Sequence, residues 1–249
     1  MGPPDVSIIL PCYNEAQRIG PSLKRLDAFL QTLPESYEIL CVNDGSRDNT
    51  AQVITDLVPQ IRGLQLIDAP ENRGKGAVVK RGMLAAQGAR TLFTDADLAT
   101  PPEEIPRMLE ALKTSPVVVG TRIHPDGRDM RTDAQPPYRR FLGKVFTFLA
   151  SVLVIQGFPD TQCGFKGFQR EAAQAIFSRV ETEGIVFDVE VLALARALGY
   201  AILQLPIQWS EPGGSTMRVR ASKVQEVVRA LLAIRRRVKT LAQQHAPKS

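Results

Sequence analysis

Cysteine is scarce in this 249-residue chain: Cys12, Cys41 and Cys163 are its three, and no two stand at metal-ligand spacing. That excludes a disulfide scaffold and a thiolate metal site, and it suits a reducing, cytoplasmic compartment. Long apolar runs are missing too. The longest candidate, Phe141–Ile155, contains Lys144 and falls short of the roughly 20 residues that a membrane span needs. No leader is expected, because the first strand begins at Val6. The first β–α turn lacks G-x-G-x-x-G, which argues against an NAD-type site, and the absence of G-x-x-x-x-G-K-[ST] argues against a Walker-type NTPase. Internal repeats and low-complexity segments are also absent.

What remains is an ordinary soluble balance, 44% hydrophobic and 23% charged, enough for one large domain or two small ones. The net charge of +5 is uneven. Residues 213–249 hold nine Lys/Arg and one acid, Glu226, so the tail is +8 and the remainder −3.

Apolar strands alternate with helical patterns through the first half. Strands are expected at Val6–Leu10, Tyr37–Asn43, Leu64–Ile67, Thr91–Thr94 and Val117–Gly120. Between them lie amphipathic helices, one carrying Leu23, Leu26 and Leu30 after a cap at Asn14, another running Pro102–Lys113. Strict β–α alternation with short connections implies an α/β fold: a mostly parallel central sheet with helices on both faces. In such sheets ligands gather at the carboxyl ends of the strands. Asn14/Glu15, Asp44, Lys75, Asp95/Asp97 and Arg122 all fall just after a strand, and five polar groups on one edge amount to a site.

The sharpest stretch is Phe93-Thr94-Asp95-Ala96-Asp97. A buried strand running into two carboxylates suits a hard divalent cation that keeps positions open for phosphates. The alternative is a capped loop in which Asp97 merely precedes a helix beginning at Pro101. Asp44 can accept from a base N–H or make an Asx turn with Gly45. His124–Pro137 reads as a lid or as an insertion without a role. The helix Tyr138–Gln156 has a broad apolar stripe and is either core or interfacial. A last strand, Ala201–Trp209, precedes a basic amphipathic helix whose capping box is Ser222 with Gln225. That helix either lies on an anionic membrane or packs on the domain. The expected division is a domain over 1–220, then the basic helix and tail over 221–249. Without interleaved aromatics, the tail is no nucleic-acid site.

Five segments, Val6–Glu15 (VSIILPCYNE), Val42–Thr50 (VNDGSRDNT), Asn72–Gly76 (NRGKG), Thr94–Leu98 (TDADL) and Gly120–Arg122 (GTR), resemble in order and spacing the motifs of family-2 glycosyltransferases of the GT-A fold. Asp160–Phe168 (DTQCGFKGF), Phe187–Glu190 (FDVE) and Trp209–Ser215 (WSEPGGS) resemble the polyprenyl-phosphate branch. Within it, the chain is most similar to dolichyl-phosphate β-glucosyltransferases, with the mannose synthases second. The resemblance implies a GT-A (Rossmann-like) fold and inverting, metal-dependent transfer of a hexose to a polyprenyl or dolichyl phosphate. The donor would be UDP-glucose; the alternatives are GDP-mannose, or a soluble acceptor.

It also implies roles. Pro11, Tyr13, Glu15, Asp44, Lys75, Asp95 and Ala96 would bind the nucleotide sugar, and Asp95 and Asp97 would hold Mg²⁺ or Mn²⁺. Ala99 stands where some mannose synthases place a ligating Gln. Asp97, Arg122 and Asp160 would be catalytic, Asp160 as base or as a positioning group. Lys166, Ser215 and Arg218 would face phosphate. Asp188 would support metal or acceptor, or cap a helix, and Trp209 would wall the site. A lipid acceptor implies a peripheral dock at the inner face of a membrane.

Overall fold

The computed structural model describes residues 2–124, 126–130, 137–210 and 223–245. In chain order these form β1 (Val6–Cys12), α1 (Ile19–Leu30), β2 (Tyr37–Asp44), α2 (Thr50–Leu57), β3 (Leu64–Ala69), α3 (Lys75–Ala85) and β4 (Arg90–Phe93). Then come α4 (Ile105–Ala111), β5 (Val117–Thr121), α5 (Pro137–Leu153), β6 (Lys166–Gln169), α6 (Arg170–Phe177), α7 (Phe187–Ala197), β7 (Ile202–Pro206) and α8 (Lys223–His245). The sheet has seven strands in the order β3-β2-β1-β4-β6-β5-β7. Every pairing is parallel except those of β6, which runs antiparallel between β4 and β5.

Alternation along the strands sorts the core into two layers, because successive side chains leave a strand on opposite faces. Ile9, Phe93, Val117 and Val119 point to a layer shared with α3, α6, α7 and α8. Ile8, Leu10, Leu92 and Val118 point to the other, filled by Leu23, Leu26 and Leu30 of α1, Ile54 of α2 and Met108 of α4. The expected parallel sheet with helices on both faces is therefore present.

Phe93 anchors the first layer. Its ring lies 5.9 Å from that of Phe187 and 6.4 Å from that of Phe168, itself 5.2 Å from Phe177. Truncating so enclosed a ring costs about 3–5 kcal/mol.

Several boundaries differ from the sequence expectation. β6 was not anticipated: four residues, Lys-Gly-Phe-Gln, are too short to show a period. Asn14 does not cap α1, which starts at Ile19 behind Arg18 with no side-chain cap. Asn14 instead takes φ +54° and accepts the Arg47 amide at 2.8 Å. The helix after Pro101 opens as a 3₁₀ turn at Pro102–Glu104. The apolar stripe of the basic helix packs on the domain, Leu231 and Ile234 of α8 being fully buried in the first layer, while Arg229, Arg235, Arg236 and Lys239 stay exposed. On α5, Ala150 is buried while Phe148 and Val152 are exposed, so core and surface readings both apply.

Candidate active site

Elements of opposite direction deliver their groups to one edge. The parallel strands β1, β2, β4 and β5 end there, and β6, running the other way, begins there: its first residue, Lys166, sits opposite Phe93 at the end of β4. Helices α3 and α7 start near the same edge, bringing Lys75 and Asp188.

The β1 and β2 loops are stitched together. The amides of Asn14, Glu15 and Ala16 donate to Ser46, Thr50 and Asp48 at 3.0, 2.8 and 3.1 Å. Glu15 pairs with Arg18 at 2.8 Å. Burial, opposed by Arg18, leaves its carboxyl above the usual range. Tyr13 projects into solvent, 41% exposed, while Ala96 is buried.

Asp44 is buried at the end of β2, and its reach is long-range. It accepts the amides of Arg73 and Gly74, at 2.8 and 2.9 Å, one on each oxygen. These contacts hold the loop that opens α3, which a local Asx turn at Gly45 would not do. Each oxygen keeps a further lone pair.

Lys75, the first residue of α3, extends to Asp95 with Nζ–Oδ1 at 2.5 Å. Burial works against its charge, and the carboxylates of Asp95 and Asp188 outweigh burial, so its pKa is raised. Asp97 stands beside this pair, one oxygen on the Ala99 amide at 3.1 Å. Burial first, then the Asp95 carboxylate, lift the Asp97 carboxyl above the usual aspartate range. Gly164 backs the pair, since a Cβ there would fall 2.1 Å from Asp95 Oδ2.

No three His, Cys, Asp or Glu side chains among the described residues converge as a cage. Two carboxylates with an open side are a donor set for Mg²⁺ or Mn²⁺ completed by water and diphosphate. A cation there would offset both causes that raise Asp97, its burial first and then the neighbouring Asp95 carboxylate.

Arg122 follows β5. Its Nε and Nη2 meet Asp160 Oδ2 and Oδ1 at 2.7 Å each, and its amide donates to Oδ2 at 3.0 Å. The guanidinium lies 5.3 Å over the Trp209 ring, so Trp209 does wall this side. Burial opposes charge on Asp160, and Arg122 more than offsets it, holding the carboxyl below the usual range. An acid so engaged is a poor proton acceptor. The geometry favours positioning of Arg122 over general-base work.

Lys166 is a correction. Expected to face phosphate, it is fully buried: Nζ donates to Cys163 O at 2.6 Å and Asp188 Oδ1 at 2.5 Å, 5.4 Å over the Phe93 ring. Asp188 is no cap either, since α7 begins behind Val186 without a side-chain cap. Ser215 and Arg218 lie outside the described residues, as does much of the 124–137 loop. Glu190, which closes the Phe187–Glu190 motif and was given no role, is fully buried and paired with Arg237 of α8 at 2.5 Å. Its signal was a second acid, after Asp188, in the first turn of a largely apolar helix.

The model for Glycosyl transferase family 2 matches residues 7–177, two thirds of the chain, from β1 through α6. The chain belongs to glycosyl transferase family 2. It is 38% identical over 227 residues to a dolichyl-phosphate β-glucosyltransferase of Trichomonas vaginalis, covering 86% of this chain and 66% of that protein. A Dictyostelium discoideum protein of the same name is 34% identical, with 88% and 71% covered. The human one is 32% identical, with 85% and 69% covered. Among solved structures, glucosyl-3-phosphoglycerate synthase of Mycobacterium tuberculosis with Mn²⁺, UDP-glucose and phosphoglyceric acid superposes with TM-score 0.67. It is 19% identical and the match covers 99% of this chain and 82% of that one, so the GT-A architecture is shared.

Proposed function

We propose that this glycosyltransferase moves glucose from UDP-glucose to dolichyl or another polyprenyl phosphate, with inversion and with Mg²⁺ or Mn²⁺. The observation that carries the reading is the Asp95/Asp97 pair at the end of β4, flanked by Lys75 and Arg122, in a chain whose relatives at 32–38% identity bear that enzyme's name.

Asp95 and Asp97 would hold the cation, whose charge would stabilise the departing nucleoside diphosphate. Pro11, Tyr13, Glu15 and Asp44 would line the nucleotide. Lys75 would leave Asp95 for the diphosphate, and Arg122, held by Asp160, would meet the acceptor phosphate. A phosphomonoester with a second pKa of about 6 is largely dianionic at neutral pH. It attacks the anomeric carbon without a strong base, which agrees with the engagement of Asp160.

Among the described residues no helix is long and apolar enough to cross a membrane. The exposed stripe of Val145, Phe148 and Val152 on α5, with Arg229, Arg235, Arg236 and Lys239 exposed on α8, supports peripheral docking at the inner, anionic face of a membrane. Flotation with anionic vesicles checks this; a protein that stays at the bottom of the gradient speaks against it.

The deciding experiment is transfer of radiolabel to the organic phase from UDP-glucose or GDP-mannose, with a polyprenyl phosphate and Mn²⁺. Label from UDP-glucose that chelator abolishes is the expected result. Label from GDP-mannose alone would overturn the sugar and keep the chemistry. No label from either would overturn the lipid acceptor.

A further inference from the structure

Helix α8 lies beyond the residues matched to the family and supplies no group to the proposed chemistry. It is nonetheless wired to the site. Arg237 sends Nε and Nη2 to one oxygen of the buried Glu190, at 3.0 and 2.5 Å. The other Glu190 oxygen accepts the amides of Glu181 and Thr182, at 3.1 and 2.7 Å. Arg237 also reaches the Thr182 hydroxyl at 3.2 Å and the Glu181 carboxylate at 3.2 Å. One arginine and one glutamate thus grip residues 181–182 from both sides.

The next residue is the consequential one. The Glu183 carbonyl accepts the amides of Gly76 and Ala77, at 2.7 and 3.3 Å, and its carboxylate pairs with Arg73. The first amides of a helix need acceptors, and no side chain caps α3. Glu183 supplies one from a segment that has no helix or strand of its own. Contact is close: a Cβ on Gly76 would fall 2.3 Å from the Thr182 carbonyl oxygen. Lys75 stands between these anchored neighbours, with its ammonium on Asp95.

We propose that Arg237 is a positioning residue for the donor site: through Glu190 it fixes residues 181–183, which cap α3 and so aim Lys75 at Asp95. The binding consequence rests on the donor-site reading above; the structural consequence does not. A carboxylate as buried as Glu190 does not tolerate loss of its partner. Without Arg237 it turns toward other donors, the 181–182 amides are released, and the α3 cap loosens.

The test compares Arg237→Met, Arg237→Lys and Leu231→Ala. Leu231 is fully buried on α8 and makes none of these polar contacts, so Leu231→Ala loosens the helix without cutting the bridge. Two quantities are read: amide exchange of a peptide spanning residues 72–80, and calorimetric binding of UDP with Mn²⁺. Arg237→Met is expected to speed exchange at Gly76 and Ala77 and to weaken Mn²⁺–UDP binding about tenfold or more. Arg237→Lys should recover part of both, and Leu231→Ala should change neither while lowering Tm. Unchanged exchange in Arg237→Met, or an equal change in Leu231→Ala, overturns the proposal. If Arg237→Met does not fold, Arg237→Met with Glu190→Gln leaves no buried charge unpaired and carries the same test. Wild type that fails to bind UDP with Mn²⁺ overturns the donor-site reading instead, and exchange alone then decides the proposal.

Discussion

Two lysine–aspartate pairs lie on one edge of this sheet, and both close at 2.5 Å. Lys75–Asp95 is about one third exposed at each partner, 29% and 34%; Lys166–Asp188 is sealed, at 0% and 4%. The open pair has an alternative on each side, since the carboxylate can take a metal and the ammonium a phosphate. The closed pair has none. Lys166 spends its remaining contacts on the Cys163 carbonyl and the Phe93 ring. Solvent access therefore separates an exchangeable site from a strut when distance and chemistry are identical. The strut still serves the site, because the Asp188 charge is felt by Lys75.

The largest expected effect breaks the two pairs separately. Lys166→Met leaves a buried carboxylate unpaired, which costs about 3–5 kcal/mol. For a chain of this length that lowers Tm by roughly 10 °C. Lys75→Met removes a pair that solvent screens, and its stability cost should stay below about 1 kcal/mol. On the proposed reading its cost should fall on catalysis, where loss of a charge-stabilising group would lower turnover about 10²-fold. Thermal melts and transfer assays on both variants decide the matter. Equal Tm losses would dissolve the distinction.

A smaller effect sharpens it. Adding Asp188→Leu to Lys166→Met removes the orphaned charge and should restore part of the lost stability, with a coupling of about 1–3 kcal/mol. Adding Asp95→Leu to Lys75→Met should leave Tm nearly where it was and turnover absent. A double variant at the buried pair that stays as unstable as Lys166→Met would mean that Lys166 acts through packing and not through its charge.

Arg122–Asp160 falls between the extremes, at 16% and 6% exposure. Asp160→Asn should leave donor binding intact and reduce turnover less than the roughly 10²-fold or more that a general base supplies. Near-abolition of turnover, with binding preserved, would return Asp160 to the role of base.

The members of the open pair were singled out before the fold was known, each for its own role; that Lys75 meets Asp95 was not, and neither was the closed pair. Asp44 ends β2, Asp95 and Asp97 follow β4, and Arg122 follows β5; strand ends are visible as the point where an apolar run stops. Lys166 looked equally polar in its Cys-Gly-Phe-Lys-Gly setting. Nothing local announces that Asp188, 22 residues later, neutralises it, or that four residues insert as an antiparallel strand between β4 and β5. The same holds for Glu190 and Arg237, 47 residues apart. Such pairings belong to topology, which brings distant residues together without leaving a period. A helical stripe shows that one face of α8 is buried, and does not show against what. Gly164 was a usable hint, since a glycine facing a carboxylate marks close approach.

The smallest effect concerns pH and divides stability from binding at one residue. Asp97 has its carboxyl raised above 3.8, by burial and then by Asp95. A raised acid binds its proton more readily folded than unfolded, so its contribution to stability is present at low pH and lost as pH rises through the window above 3.8. Asp160, lowered by Arg122, runs the other way: its contribution is present above 3.8 and is lost as pH falls through its depressed pKa. Asp97→Asn keeps an acceptor for the Ala99 amide and removes a charge that burial disfavours. At pH 7 it should therefore raise stability by roughly 0.5–1 kcal/mol, while Mn²⁺ binding is lost. In wild type, Mn²⁺ affinity should fall on acidification at a pH higher than an ordinary aspartate would give, because the cation requires the ionised form. A calorimetric pH series on both proteins reads the two together. If Asp97→Asn instead lowers Tm, the carboxylate is a structural partner like Asp188, and Asp97 belongs with the closed pair.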